Sequence, residues 1–349
     1  MNALVLEGGG IKGAYQIGAY YAMLECGIRI DGFYGTSIGS FNSAVLCAGK
    51  HEELLHFWLS TNPGDLFGFE KRMSDAINIE EYDVHFLRSV ARSLSKTIVN
   101  RGVDIAPLLS LFESIVSEEE IRASKKDFGL VTMKFPTAEP VEIYKDDIPE
   151  GKLKEYVMAS CYIPIFKYER IIDDNYYIDG GFYDGCPVNM ALEKDYDTIY
   201  VVRIKGFGLN RKLKDKPVNI VTIKPKRRHA GVFELRHKNI LESVRMGYYD
   251  AMRVLKGYDG YNYVFINEKE KYYSSLVKKI KPTLLTRVKN FFYTLDTKMT
   301  IIMAIEYVME REGYTYYDIY SLPKVLKEIR TLEKNDTIYR FVRELRIGW

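Results

Sequence analysis

A chain of 349 residues with 47% apolar and 28% charged residues has the length for a large core and the composition of an ordinary globular protein. It contains no run of about 18 apolar residues, which excludes a membrane-spanning helix, and its start lacks the basic, apolar and small-residue order of a signal peptide. The net charge is only +3, yet residues 205–228 hold nine basic residues and one acid, Asp215, leaving the rest of the chain at about −5.

Leu4-Val5-Leu6 reads as a short buried strand leading into Gly8-Gly9-Gly10-Ile11-Lys12-Gly13. Consecutive glycines let the backbone adopt positive φ and turn several amide N–H groups into one space. A helix follows, with Ala14, Ile17, Tyr21 and Leu24 on one face and Gly27 as its stop. Loop and helix start together make an anion site, and two chemistries fit it. Gly8-x-Gly10-x-x-Gly13 satisfies a dinucleotide fingerprint, with Asp31 as the ribose-binding acid. The same amides also suit the negative oxygen of a tetrahedral intermediate. Lys12 stands where a helix dipole disfavours a cation, so it either holds the loop in shape or meets an anionic substrate group.

Residues 28–34 read as extended and enter Gly35-Thr36-Ser37-Ile38-Gly39. A helix then carries Phe41, Ala44, Val45 and Ala48 at helical spacing and stops at Gly49. Gly-x-Ser-x-Gly between a strand and an amphipathic helix is the setting of a nucleophile elbow, where Gly35 and Gly39 relieve crowding and Ser37 is lifted onto a helix start. The plain alternative is a helix start with Ser37 as its cap.

Residues 51–127 read as helical and mixed. Strand signals return at Phe128–Met133, Val141–Tyr144, Tyr176–Ile178, Thr198–Val202, Ile220–Ile223 and Tyr263–Ile266, and the pattern is helical again from about Leu284. The strand–helix alternation of the first half predicts an α/β layered sheet. Fourteen of the 28 tyrosines follow residue 247, as a second core or as part of an anionic interface. The basic run fits an anionic partner, membrane surface or nucleic acid, and equally a solvated loop.

A nucleophilic serine needs a base. The histidines are His51, His56, His85, His229 and His237, and only the last two follow an acid such as Asp179 in the usual Ser–acid–His order. Both sit among basic residues, which oppose the cationic form a base must take. Tyr176-Tyr177-Ile178 instead delivers Asp179 at a strand end, with Gly180-Gly181 keeping the space open, and an aspartate can serve as a base without a third member. Alone, Asp-Gly is also a common turn. Cys26, Cys47, Cys161 and Cys186 follow no zinc spacing and read as reduced core thiols.

Together and in this order, Gly8–Gly13, Gly35–Gly39 and Asp179–Gly181 resemble the motifs of the patatin-like phospholipases. Ala159-Ser160, Ile163-Pro164-Ile165-Phe166 and Pro187 are secondary marks of the same kind, and Gly185 departs from the asparagine that the family often has, a change expected to loosen that turn. The resemblance covers roughly residues 1–205. It implies a three-layer α/β sandwich with a mainly parallel central sheet as the catalytic domain, 51–127 as a helical insertion or lid, and 206–349 as a Tyr-rich, mainly helical extension. It further implies a serine hydrolase of lipid acyl esters. Ser37 would be the nucleophile, Asp179 the base, and the stretch Gly8, Gly9, Gly10, Ile11 and Lys12 the oxyanion hole, with Gly180 and Gly181 shaping the dyad loop. No cofactor, metal or nucleic acid is implied. The expected partner is a lipid or other acyl ester, met by a cytoplasmic chain in peripheral contact with an anionic membrane surface. The rival readings are a nucleotide-binding module built on the glycine loop and a non-catalytic interaction protein.

Overall fold

The computed structural model describes residues 1–60, 104–164, 166–167, 169–206, 208–227 and 237–346. Its contacts divide the chain into two compact units, Met1–Tyr248 and Tyr249–Trp349. Residue 206, where the sequence reading begins the extension, lies within the first.

The first unit opens with β1 (Asn2–Leu6), a 3-10 turn (Gly10–Gly13), α1 (Ala14–Glu25), β2 (Gly32–Thr36), α2 (Ile38–Cys47) and α3 (His51–Ser60). After the segment 61–103, which lies outside the described residues, come α4 (Ala106–Ile115) and α5 (Glu118–Ala123). The expected lid over 51–127 is therefore described only at its two ends. The unit continues through β3 (Asp127–Phe135), β4 (Pro140–Tyr144), α6 (Leu153–Ser160), β5 (Tyr176–Asp179), α7 (Val188–Leu192), β6 (Thr198–Val202), β7 (Asn219–Ile223) and α8 (His237–Leu255), the last running past the unit's boundary.

Six strands lie in the order β4-β3-β2-β1-β6-β7, and β5 adds a seventh by pairing with β3. The β1–β2, β2–β3, β1–β6 and β6–β7 ladders are parallel, and only β4 and β5 run antiparallel to β3. The sheet is covered on both faces, which is why β1 and β2 read as continuous apolar runs without alternation. Ala3, Val5, Tyr34, Ile199 and Val201 pack with Val188, Met190 and Leu192 of α7. The alternate residues face the other way, where Phe33 meets Tyr20 of α1 and α2 lies along β1 and β2. The result is a three-layer α/β sandwich with a mainly parallel sheet.

One expected face fails. Nearly all of α1 from Ala14 to Met23 is buried, whereas Tyr21 is half-buried and Leu24 exposed. A helix enclosed on more than one side has no single apolar stripe for a periodicity argument to find.

The second unit adds β8 (Val264–Phe265), α9 (Glu270–Leu276), α10 (Pro282–Phe291), α11 (Thr297–Arg311), β9 (Ile319–Tyr320), α12 (Leu322–Ile329) and α13 (Thr337–Glu344). The two short strands pair in parallel, and the rest is helical. Its core gathers Tyr263, Phe265, Tyr273, Ile305, Leu326 and Phe341, with Tyr307, Tyr314, Tyr316 and Tyr320 packed at the margin. These tyrosines are core residues, the first of the two readings above. The carboxylate of Glu306, buried on α11, accepts the amides of Tyr261, Asn262 and Tyr263 and so fixes the approach to β8. No helix among the described residues is long and apolar enough to cross a membrane.

Candidate active site

The central feature is a meeting of strand ends along β3. The first half of β3 pairs with β2, ending with Thr36 opposite Val131. Its second half pairs with β5, ending with Asp179 opposite Thr132. β4 overlaps both halves of β3, so it must occupy the other edge, and β2 and β5 share one edge. Running in opposite directions, they bring their C-terminal ends nose to nose at adjacent rungs. Ser37 leaves one end and Asp179 closes the other, although 142 positions separate them.

Ser37 occupies φ 56 and ψ −132, a strained conformation for a residue with a side chain, costing on the order of 1–3 kcal/mol. The turn is tight enough that a Cβ on Gly35 would stand 2.2 Å from the carbonyl of Gly39, and one on Gly39 2.2 Å from the Leu6 oxygen. Only glycine fits at either position. The Ser37 amide donates to Ser160 Oγ at 2.9 Å, and Ser160 donates onward to the Val131 carbonyl at 2.6 Å, tying the elbow to β3. Ser40 donates to the Ser37 carbonyl at 2.7 Å, and Thr36 to that of Asp184. Ser37 itself is 6% exposed.

Asp179 is fully buried. Its amide donates to the Tyr162 carbonyl, and Oδ1 accepts the Gly181 amide at 2.7 Å in the 3-10 turn that Gly180 begins. Oδ2 is buried with no hydrogen-bond partner of full geometry. Burial pushes the carboxyl up to about 7, against the opposing pull of the neighbouring Ser37 hydroxyl and the Gly181 amide, both of which favour its charged form. The Ser37 hydroxyl thus neighbours the carboxylate, although no hydrogen bond of full geometry joins it to Oδ2.

The glycine loop lies against the elbow: a Cβ on Gly8 would stand 3.1 Å from that of Ser37. The Gly8 amide donates to the Gly185 carbonyl and the Lys12 amide to Gly9, so both serve the loop's own scaffold. Among the described residues the amides of Gly9 and Gly10 have no acceptor, and both glycines carry positive φ. Ile11 is buried within the 3-10 turn.

A strap following β6 presses on this loop. A Cβ on Gly9 would stand 2.9 Å from Ile204 Cδ1, and one on Gly206 only 1.7 Å from the Gly8 oxygen. Glu7, 4% exposed at the end of β1, accepts the Ile204 amide and pairs with Arg203. Lys12 Nζ donates to the Lys205 carbonyl at 2.7 Å. Burial lowers the Lys12 ammonium to about 8, with Glu7 opposing that shift and Lys205 adding to it. The Lys12 ammonium thereby ties the glycine loop to the strap, in keeping with a role in holding the loop in shape. The Leu209 amide then donates to Gly181, and the Gly185 amide to Leu209. The strap therefore stitches the glycine loop to the dyad loop, and the turn at Gly185 is bound on both sides rather than loosened. A basic run gives no such signal in sequence, and neither does the part played by Ser160 beneath Ser37.

Asp31 lies elsewhere. Its carboxylate accepts the Asn2 amide at 2.8 Å, at the N-terminal ends of β1 and β2. The glycine loop follows the C-terminal end of β1, roughly 17 Å away along a five-residue strand, so the ribose-binding geometry is not made. His51, on α3, meets the rings of Tyr20 and Tyr21 of α1 at tilted and edge-on angles, and His56 is exposed on α3. His85 and His229 lie outside the described residues, as does the side chain of His237.

Residues 4–192 match the family model described as patatin-like phospholipase, more than half of the chain, and the chain belongs to that family. It is 27% identical over 201 residues to patatin-like phospholipase domain-containing protein 7 of Rattus norvegicus, a match covering 54% of this chain and 12% of that one. With patatin-like phospholipase domain-containing protein 6 of Homo sapiens the identity is 24% over 218 residues, covering 58% and 13%. The chain thus spans about one eighth of these relatives. The crystal structure of VipD from Legionella pneumophila aligns over 98% of this chain and 83% of its own, at 12% identity and a TM-score of 0.43, too distant to carry an argument.

Proposed function

We propose that this chain is a serine hydrolase of lipid acyl esters working through a Ser37–Asp179 dyad. The observation that carries the reading is the unpartnered, buried Oδ2 of Asp179 at the rung next to the elbow. Asp179 takes the proton of Ser37 as Oγ forms a bond to the ester carbonyl carbon. The amides of Gly9 and Gly10 receive the oxyanion, and the same proton passes to the departing alcohol as its C–O bond breaks. Water then attacks the acyl-serine, giving its proton to Asp179, and the released Ser37 oxygen recovers that proton. Peripheral contact with a membrane surface belongs to the same reading, because a lipid substrate would be met there.

The test is labelling with a fluorophosphonate probe together with hydrolysis of an acyl ester. Ser37→Ala is expected to abolish labelling and to lower kcat at least ~10³-fold, and Asp179→Asn to lower kcat comparably with the fold intact. An Asp179→Asn chain of full activity would remove the dyad.

A further inference from the structure

Among the described residues, the two large apolar side chains most open to water lie in the connection between α10 and α11, with Phe291 beside them at the end of α10. Tyr293 is 97% exposed, Leu295 91% and Phe291 53%. They alternate with the half-buried Phe292 and Thr294, so one side of the connection is anchored while the other offers three apolar groups. The connection is held in place: Lys289 Nζ donates to the Leu295 carbonyl at 2.7 Å, the Thr294 amide to the Lys289 carbonyl, and Asp296 caps α11 through the Met299 amide. Tyr293 stands at φ 51, where a small or polar residue would sit with less strain.

Charge singles out the same region. Residues 271–298 hold seven cations and one acid, whereas the remainder of 249–349 holds eleven cations and twelve acids. Lys278, Lys279, Lys281 and Arg287 are exposed. Lys298 is engaged by Asp259 and Glu270. In the other basic run, by contrast, Arg211, Lys214 and Lys216 are tied to Glu142, Glu193 and Asp195.

We propose that the α10–α11 connection is a membrane anchor. Phe291, Tyr293 and Leu295 enter the interfacial layer of an anionic bilayer, while Lys278, Lys279, Lys281 and Arg287 meet its headgroups. Aromatic and aliphatic groups settle at that depth, and each nearby cation adds attraction to anionic lipid. Three side chains give shallow, reversible attachment, which suits a protein that must move between lipids. The anchor rests on the hydrolase reading only for the choice of a lipid surface over a protein one.

Sedimentation of the full chain with vesicles tests it, using phosphatidylcholine alone and phosphatidylcholine with phosphatidylserine. The parent chain is expected to bind the anionic vesicles and to be released by salt. Tyr293→Ser combined with Leu295→Ser should lower binding about tenfold or more, with the melting temperature and the hydrolysis of a soluble short-chain ester unchanged. Ser37→Ala should bind like the parent. A chain that binds through Tyr293 yet hydrolyses nothing would sink the dyad and leave the anchor standing. Equal binding by parent and double variant, or indifference to phosphatidylserine, overturns the anchor. So does a parent dimer that the double variant turns into a monomer, because the occupant is then a second copy.

Discussion

A carboxyl group enclosed on all sides, with one oxygen unpartnered, resists ionisation, and Asp179 is in that position. With its pKa pushed up to about 7 by burial, it can serve as the proposed base only above that pH. Ester hydrolysis should therefore rise with pH through about 7 and level off above it, measured as kcat/KM on a soluble ester. The same shift bears on stability. The folded pKa lies above the unfolded value, so between about 4 and 7 the folded chain holds a proton that the unfolded chain has lost, and stability falls as pH rises across that window. Above pH 7 the full penalty, on the order of 4 kcal/mol, is in place, and below pH 4 it is absent. Asp179→Asn should accordingly match the parent in denaturant melts at pH 4 and be the more stable chain at pH 8, while remaining inactive. A variant less stable at pH 8 than the parent would contradict the buried-charge account. The place of Asp179 at a strand end was legible from Asp-Gly-Gly after an apolar run. Its strained electrostatics were not, because they depend on what Tyr162 and the elbow place around it.

At the scale of elements, the strap after β6 sets the glycine loop. Replacing Lys12 by Met keeps the length of the side chain and removes its hydrogen bond to the Lys205 carbonyl. Loss of a buried hydrogen bond from a charged donor costs about 1.5–3 kcal/mol, so the melting temperature should fall. If the strap positions the loop, kcat should drop about tenfold or more with KM little changed, and Lys12→Arg should restore part of it. A fall in stability with kcat untouched would reduce Lys12 to a structural role. Most strands were readable from the sequence: the runs at Leu4–Leu6, Phe128–Met133, Val141–Tyr144, Thr198–Val202 and Ile220–Ile223 all lie in the sheet. The elbow and the glycine loop were readable as well, since both depend on local backbone demands that glycine meets. The direction of β5 was hidden. Alternation says that a segment is extended but not which strand it will pair with or which way it will run, and Tyr176–Asp179 looks the same in either sense. The face of α1 was misjudged for a related reason, because burial by surrounding elements erases its periodicity.

For the whole molecule, the net charge of +3 conceals two basic runs with different fates. In one, Arg211, Lys214 and Lys216 are tied to acids of the first unit; in the other, Lys278, Lys279, Lys281 and Arg287 are exposed in the stretch of chain that also carries Phe291, Tyr293 and Leu295. Raising the salt concentration from about 0.05 M to about 0.5 M shortens electrostatic reach to a few ångströms, so hydrolysis of lipid in anionic vesicles should fall several-fold. Turnover of a soluble ester should hardly change over the same range, because Ser37 and Asp179, the proposed dyad, are both buried. Parallel losses on both substrates would mean that salt acts on the fold instead.

The convergence of β2 and β5 on β3 also has a bearing on how such a chain is made. A ribosome releases Ser37 long before Asp179, and until β5 has zipped onto β3 the elbow has no carboxylate of Asp179 beside it. On the proposed reading, growing chains would therefore carry a serine that cannot yet attack, and any capacity to damage lipid would arrive only when the end of β5 closes on that of β2.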